Sequence, residues 1–243
     1  MNIKKHIPNA ITLGNLTCGC ISLLLAVQWQ FQYAALMVLA AAVFDFFDGF
    51  AARMLHTKSD IGKELDSLCD MISFGLAPAF IMYYMLSRTL LLTDMPLYET
   101  FNINIIPAAC SIIYACCVAV RLAKFNLDTR QTEQFLGLPS PAAAFILIST
   151  PFWHLPYNQT SFIIYITVMA LLCAAMLCEY PLLSLKFHDF TFKNNAARYA
   201  LVLCSIALIT VCGIKHMLPL AIIPIMLVYI ILSIIENHKT NQK

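Results

Sequence analysis

The amino-acid sequence predicts an all-α protein that crosses a membrane several times, and three observations support this class. Of the 243 residues, 60% are hydrophobic and 12% are charged, whereas a water-soluble domain usually contains roughly a quarter charged residues. The apolar residues are gathered in runs close to the ~20 residues that a membrane-spanning helix needs. No run alternates polar and apolar residues as the strands of a membrane barrel do. We therefore expect a bundle of transmembrane helices.

The apolar runs predict about eight spans in a single integral membrane domain that covers residues 1–243. Their bounds are about 10–30, 33–53, 66–87, 104–123, 139–154, 161–178, 197–213 and 217–235. The fifth run is short and begins with Pro139 and Pro141. The formal net charge of +2 is too small to indicate a nucleic-acid-binding protein.

The lysines and arginines predict the orientation of these spans in the membrane. If both termini are cytoplasmic, the outer loops hold only Arg88 and Lys215. The inner segments then hold the other thirteen basic residues: Lys4, Lys5, Arg53, Lys58, Lys63, Arg121, Lys124, Arg130, Lys186, Lys193, Arg198, Lys239 and Lys243. Because cytoplasmic loops carry the excess of Lys and Arg, we expect an even number of spans in the cell (inner) membrane.

Four acidic residues lie within or beside the second and third apolar runs: Asp45, Asp48, Asp66 and Asp70. A carboxylate at the bilayer centre costs ~2.5–3.5 kcal/mol on insertion scales, so four of them are difficult to explain as lipid-facing residues. Spacings of three and four positions put each pair on one helix face. The short connection between the runs makes the two helices antiparallel neighbours, so we expect all four carboxylates near one level at the cytoplasmic surface.

Converging carboxylates cannot all stay ionised without cations, and oxygen ligands together with substrate phosphates suit Mg²⁺ or Mn²⁺. The residues between the acids fit a phosphate-containing substrate. Gly49, Ala52 and Gly62 are small and allow close approach, and the planar fork of Arg53 suits a phosphate group. Close packing between helices would also explain the small residues, and a positive-inside anchor would explain Arg53.

Written out, the segment is Asp45-x2-Asp48-Gly49-x2-Ala52-Arg53-x8-Gly62-x3-Asp66-x3-Asp70. It resembles, at all eight positions, the signature of the CDP-alcohol phosphotransferase family of membrane enzymes. The resemblance implies transfer of a substituted phosphate from a CDP-linked donor to an alcohol, with release of CMP. It implies that the four aspartates hold two divalent metal ions over the donor diphosphate, and that Asp70 is also the general base. Gly49, Ala52 and Arg53 would form the nucleotide-binding surface.

The same resemblance implies a family core at about residues 7–178, followed by two further spans at 197–235, and suggests a homodimer. A second similarity narrows the acceptor. The stretches IPNAITLGNLTCGC, IGKELDSLCDMISFGLAPA, RLAKFN and FLGLPSPAAA resemble those of bacterial integral-membrane phosphatidylserine synthases. This similarity covers about residues 7–144 and implies that the donor is CDP-diacylglycerol and the acceptor is L-serine.

Polar residues on the first and fourth spans are predicted to complete the two substrate sites. At the end of the fourth span, Arg121, Lys124 and Asn126 are predicted to bind serine, with Arg121 clamping its carboxylate. On the first span, Asn9, Thr12 and Asn15 are predicted to bind the cytidine end of the donor. Basic residues at a span end are common anyway. Helix capping by Asn9 and interhelix hydrogen bonds from the other two would explain those residues as well.

Two other functions remain open from the sequence. Another acceptor within the same family, glycerol 3-phosphate or inositol phosphate, would be dianionic and would need a denser basic pocket than Arg121 and Lys124 supply. A cation or proton transporter would use the four acids as an ion path. No second set of acids continues that path towards the opposite face of the membrane.

Overall fold

The computed structural model describes residues 6–57, 59–92, 105–128, 135–182, 196–214 and 218–240, and these ranges are mainly helical. The helices are α1 (His6–Val27), α2 (Phe31–Met54), α3 (Asp60–Asp70), α4 (Ala77–Leu91), α5 (Ile105–Leu127), α6 (Ser140–Ser149), α7 (Gln159–Leu177), α8 (Ala196–Ile214) and α9 (Ile222–Thr240). A π-helical turn, Met71–Leu76, joins α3 to α4, and 3₁₀ turns occupy Thr150–Phe152 and Leu218–Ala221. The predicted helical class is confirmed.

Five helical segments are long and apolar enough to cross a membrane: α1, α2, the continuous rod Asp60–Leu91, α5 and α7. They correspond to the first four predicted spans and the sixth. The remaining three predicted spans correspond to shorter apolar helices, Ser140–Phe152, Tyr199–Thr210 and Ile222–Glu236. The membrane character of the chain is therefore supported, while the number of eight spans and the position of the termini stay predictions. The basic residues Lys58, Lys186 and Lys193 lie outside the described residues.

A two-residue antiparallel pair was not predicted. The strands β1 (Phe135–Leu136) and β2 (Pro181–Leu182) pair next to the C-terminal end of α7. The turn after β1 needs glycine, because Gly137 has a φ of +73° and a Cβ there would lie 2.5 Å from the Cys178 carbonyl oxygen. The Leu138 amide donates to the Ala175 carbonyl at 2.8 Å, which fixes the entry to α6.

Small residues allow α1 and α2 to pack closely along their length. Ala26, Ala34 and Ala35 are buried, and the Ser22 hydroxyl donates to the Ala34 carbonyl at 2.8 Å. Close approach through small side chains is the usual way in which helices associate in membranes. The opposite side of α2 exposes three large rings, Phe46, Phe47 and Phe50, as expected for a lipid-facing surface. The acidic face of α2 is thereby turned towards the protein interior.

The π-helical turn begins directly after Asp70 and lies against α1 and α5. A Cβ on Gly19 of α1 would come within 3.0 Å of the Ser73 Cα, so the two backbones touch there. Pro78 has no N–H to donate to the Phe74 carbonyl four residues earlier, and the Tyr114 hydroxyl of α5 donates to that carbonyl instead, at 3.2 Å. This contact satisfies a backbone group that has no water partner within a membrane.

Candidate active site

The cytoplasmic end predicted for the second span carries a compact group of carboxylates. Asp45 and Asp48 of α2 and Asp66 of α3 each offer an oxygen, and these oxygens lie within 4.8 Å of one another. A short connection between α2 and α3 brings these three acids together. Within it, His56 takes a φ of +52°, and the Ser59 side chain caps α3 by accepting from the Gly62 amide at 3.0 Å. The predicted convergence of the two helices is confirmed for these three acids, which we call the acidic cluster.

No described lysine or arginine forms an ion pair with the acidic cluster. The Oδ2 atom of Asp48 and the Oδ1 atom of Asp66 are buried and have no hydrogen-bond partner. Within the described ranges, the single ion pair is that between Lys124 and Glu179. Burying acceptor atoms without partners costs free energy, and carboxylate oxygens are ligands that hard divalent cations prefer. The acidic cluster therefore fits a metal ion and could hold one.

Asp70, the last residue of α3, lies outside that group of three and has a partner of its own. It is 9% exposed, and the Asn15 side-chain amide donates to its Oδ1 atom at 3.0 Å. Asn15 is fully buried, so this hydrogen bond fixes the orientation of the carboxylate within the interface between α1 and α3. The prediction placed Asn15 at the cytidine end of the donor. Asn15 does not line the cavity beside the acidic cluster, and its Oδ1 atom has no hydrogen-bond partner, so its role towards the donor stays a prediction.

A cavity of about 470 Å³ opens beside the acidic cluster, and we call it the donor cavity. Its lining brings together five residues that the sequence assigned to the donor, along with two of the acids: Asn9, Thr12, Gly49, Ala52, Gly62, Asp48 and Asp66. The joint placement of these five residues agrees with their predicted role, although the role itself stays a prediction. Arg53 is exposed and does not belong to the lining.

The two positions in the donor cavity that are occupied by glycine differ in the space around them. A Cβ on Gly49 would meet only the Nη1 atom of Arg53, at an ordinary 3.6 Å, so the missing side chain leaves open space in the cavity. A Cβ on Gly62 would lie 2.9 Å from the Ser59 hydroxyl and 3.2 Å from the Asn9 side-chain oxygen. Gly62 is therefore required by the protein's own packing, and Gly49 is not.

Sequence reasoning missed five further residues in this lining: Pro8, Thr57, Ser59, Asp60 and Lys63. The signal for Ser59 was present, since a serine just before a helix commonly caps its first amides. Lys63 reaches across to another helix, where its Nζ atom donates to the Asn126 carbonyl at 2.9 Å. No local sequence pattern indicates that contact.

Arg121 and Lys124 line a second cavity, of about 320 Å³, together with Asp128 and Glu179. We call it the arginine cavity. The Arg121 side chain is 4% exposed, its guanidinium lies 5.5 Å from the Phe125 ring centroid, and its Nε atom has no hydrogen-bond partner. Lys124 is exposed and its Nζ atom is 4.0 Å from Glu179. The arginine cavity thus contains a buried cation that no described carboxylate pairs with.

The structure separates Asn126 from the other two residues predicted to bind serine. Its side-chain amide donates to the Ser67 hydroxyl at 2.8 Å, and it does not line the arginine cavity. The structure therefore brings two of the three residues to one cavity, and the role of Asn126 towards serine stays a prediction. Asn126 instead connects α5 to α3 through its hydrogen bonds with Ser67 and Lys63.

Comparison with known proteins gives a consistent family match. A family model described as CDP-alcohol phosphatidyltransferase matches residues 5–178. The chain is 34% identical over 152 residues to a CDP-diacylglycerol–serine O-phosphatidyltransferase of Bacillus subtilis, which covers 63% of this chain and 78% of that protein. A Helicobacter pylori protein of the same name is 35% identical over 143 residues, with 58% of this chain and 55% of that protein covered.

An archaeal protein with the same name, from Methanocaldococcus jannaschii, is 34% identical over 142 residues, which is 58% of each chain. The match thus spans little more than half the length of the Helicobacter and Methanocaldococcus relatives. Residues 5–178, which the family model matches, contain the acidic cluster and the lining of the donor cavity.

Proposed function

Because the chain belongs to the CDP-alcohol phosphatidyltransferase family, we propose that it transfers the phosphatidyl group of CDP-diacylglycerol to L-serine, which gives phosphatidylserine and CMP. The observation that carries this proposal is the acidic cluster opening on a cavity lined by the predicted donor residues. The names of the bacterial and archaeal relatives support serine as the acceptor.

Asp45, Asp48 and Asp66 would hold the divalent metal, Mg²⁺ or Mn²⁺, and the family resemblance adds Asp70 and a second ion. A metal ion bound there supplies positive charge against the donor diphosphate and the departing CMP. The unpartnered oxygens of Asp48 and Asp66 support this role, because they are acceptors that the protein itself leaves unused.

The donor cavity would receive the nucleotide and diphosphate of CDP-diacylglycerol. Asn9 and Thr12 are the polar side chains on its α1 side, placed to hydrogen-bond the cytidine end. Gly49 and Ala52 leave room for the diphosphate to approach the α2 backbone. Arg53, one turn beyond Gly49 and exposed, would reach the phosphate groups from the rim of the cavity.

Asp70 would act as the general base for the serine hydroxyl. Asn15 holds its Oδ1 atom, so Oδ2 is the atom that accepts the proton. As the serine oxygen bonds to the lipid-linked phosphorus, the bond from that phosphorus to the oxygen bridging the two phosphates breaks, and its electrons leave with CMP. Deprotonating the serine hydroxyl during this attack prevents positive charge from building on the attacking oxygen.

The arginine cavity would hold the serine itself. The Arg121 guanidinium is buried beside Phe125 and has an unpaired Nε–H, which suits a bidentate contact with the serine carboxylate. Lys63 lines the donor cavity and donates to Asn126, so the helix that carries Arg121 also contacts a residue of the donor cavity. This link supports placing the two substrates on adjacent sides of α3.

We place the chain in the cell (inner) membrane as one domain, residues 1–243, with eight spans, cytoplasmic termini and the active site facing the cytoplasm. The core would cover about 7–178 and the two C-terminal spans 197–235, and the protein would form a homodimer.

Single cysteines introduced at Lys58, Lys193, Thr93 and Gln159, in a chain with its native exposed cysteines replaced, test this topology. Labelling should reach the first two from the cytoplasmic side and the last two from the other; Lys58 and Thr93 labelling from one side would refute it.

The activity is tested with purified protein, CDP-diacylglycerol and, separately, L-serine, glycerol 3-phosphate, inositol phosphate or no acceptor, with the lipid products identified by mass spectrometry. We expect phosphatidylserine and an equal amount of CMP with serine, and neither without an acceptor. A product only with glycerol 3-phosphate or inositol phosphate would overturn serine as the acceptor. Absence of CMP release with every acceptor would refute the transferase activity.

A further inference from the structure

A cavity of about 410 Å³ lies at the opposite end of α2 from the acidic cluster, and the proposed reaction does not use it. Its lining includes Trp29 before α2, Arg88 near the end of α4, and Tyr157 and Tyr165 around the start of α7. The seventeen residues between Phe31 and Asp48 correspond to about 25 Å of helix. The cavity is therefore remote from both the donor cavity and the acidic cluster, and we call it the distal cavity.

Arg88 supplies the positive charge of the distal cavity. Its guanidinium carbon lies 4.6 Å from the Tyr157 ring centroid and 5.7 Å from that of Trp29. Stacking of this kind holds the guanidinium by its faces and leaves the N–H groups along its edges available. Within the described ranges no carboxylate pairs with Arg88, and no described acidic side chain lines the cavity.

Two further groups in the lining also favour a negatively charged ligand. The helix α2 begins here at Phe31, and Gln30 provides no side-chain cap for its first amides; its residues Phe31 to Tyr33 line the cavity. Free amides at a helix N-terminus attract anions. Tyr165 is 2% exposed, and its hydroxyl has no hydrogen-bond partner among the residues that the structure describes.

We propose that the distal cavity binds a phosphate group, held by the edge of the Arg88 guanidinium, the first amides of α2 and the Tyr165 hydroxyl. A phosphate has enough acceptor oxygens for a planar fork, backbone amides and a phenol to donate to it together. The phosphate could belong to the headgroup of an anionic phospholipid, since the cavity lies at the end of apolar helices, or to a free phosphate ion. The chemistry of recognition is shared, and the test separates the two sources.

The test uses the full chain, purified in an uncharged maltoside detergent without phosphate, and reads the fluorescence of Trp29. The chain has two tryptophans, so Trp153→Phe leaves Trp29 as the only one. Inorganic phosphate is titrated in one arm, and dihexanoyl phosphatidylglycerol below its micellar concentration in the other. We expect a saturable change in at least one arm: in the lipid arm alone if the ligand is a headgroup, and in both if it is a free ion.

Variants decide whether the groups named above are responsible. In the arm that binds, Arg88→Gln should raise the Kd at least about tenfold, and Tyr165→Phe, which removes a single hydroxyl, about fivefold. Arg198→Gln, which removes the same charge from another helix, should leave the Kd unchanged. Asp48→Asn should do so too, which excludes binding in the donor cavity as the source of the signal.

Serine-dependent CMP release reports whether each variant in the distal cavity is folded. If Arg88→Gln does not fold, Tyr165→Phe still tests the proposal. Absence of a saturable signal in both arms would overturn the proposal. A Kd that is unchanged in both Arg88→Gln and Tyr165→Phe would also overturn it, and would leave Arg88 as an anchor at the membrane interface.

Discussion

The donor cavity and the arginine cavity differ in the sign of the buried charged groups that have unpaired polar atoms. The donor cavity has two buried carboxylate oxygens without partners, on Asp48 and Asp66. The arginine cavity has a buried guanidinium, that of Arg121, with its Nε–H unpaired. A buried charge without a partner is costly, so we expect each cavity to bind a ligand of the opposite charge.

The opposite charges of the two cavities predict that each cavity binds one of the two substrates. We expect the donor cavity to bind cations and, through them, the donor diphosphate, and the arginine cavity to bind the carboxylate of serine. Substitutions in one cavity should therefore change the handling of one substrate and spare the other.

The largest effect is expected at the carboxylates. Asp45→Asn, Asp48→Asn, Asp66→Asn and Asp70→Asn should each lower turnover by at least about a hundredfold, because a metal ligand or the general base is lost. Membrane insertion should persist or improve, since each carboxylate costs free energy in the bilayer. CMP release by membranes with equal amounts of each variant measures this. Glu64→Gln, an exposed acid on the same helix, is the matched control, and near-normal turnover in any aspartate variant would remove that residue from the site.

The next effect tests the arginine cavity alone. Arg121→Lys keeps the charge but loses the planar fork, so the KM for serine should rise about ten- to a hundredfold. The KM for CDP-diacylglycerol should change little. Steady-state kinetics with each substrate varied in turn provide the measurement. A rise in only the donor KM would show that Arg121 is a phosphate ligand and that both cavities bind the donor.

A smaller effect is expected when the donor cavity is partly filled or its rim is altered. Gly49→Ala meets no protein atom closer than 3.6 Å, so the fold should tolerate it, and a rise in the donor KM of about tenfold would report the ligand itself. Arg53→Lys should also raise the donor KM and spare serine. An unchanged donor KM in Gly49→Ala would mean that the diphosphate does not approach this part of α2.

The smallest effect is expected at the contact between the two cavities. Asn126→Ala removes one hydrogen bond to Ser67, worth about 1 kcal/mol, and should lower kcat about fivefold while both KM values stay close to normal. Ser67→Ala should have the same effect, and the double variant should be no worse than either. A selective rise in the KM for serine in Asn126→Ala would instead support the prediction that Asn126 binds the acceptor.

The sequence was most informative where a signal is local. Asp45, Asp48 and Asp66 could be placed together because helical spacing and a short connection determine which faces meet. Gly49 and Ala52 could be placed in the donor cavity for the same reason, because they lie close to Asp48 on the same helix. The Ser59 cap was also readable from its position before the helix.

The remaining features depend on contacts between distant segments, and no local pattern encodes them. Asn15 and Asp70 are 55 positions apart, and Asn126 and Ser67 are 59 apart, so neither partner could be named from spacing. The Tyr114 hydroxyl of α5 donates to the carbonyl of Phe74, 40 positions away, within the π-helical turn. The stacking of Arg88 between Trp29 and Tyr157 joins three separate segments in the same way.

The central claim is that the acidic cluster holds a divalent cation for the donor, independently of the arginine cavity. Electron paramagnetic resonance of Mn²⁺ added to the purified protein, with CDP-diacylglycerol present, measures this binding without turnover. We expect saturable Mn²⁺ binding by the native chain and by Arg121→Lys, and Mn²⁺ binding at least about tenfold weaker in Asp48→Asn and Asp66→Asn. Equal Mn²⁺ affinity in the native chain and both aspartate variants would contradict it.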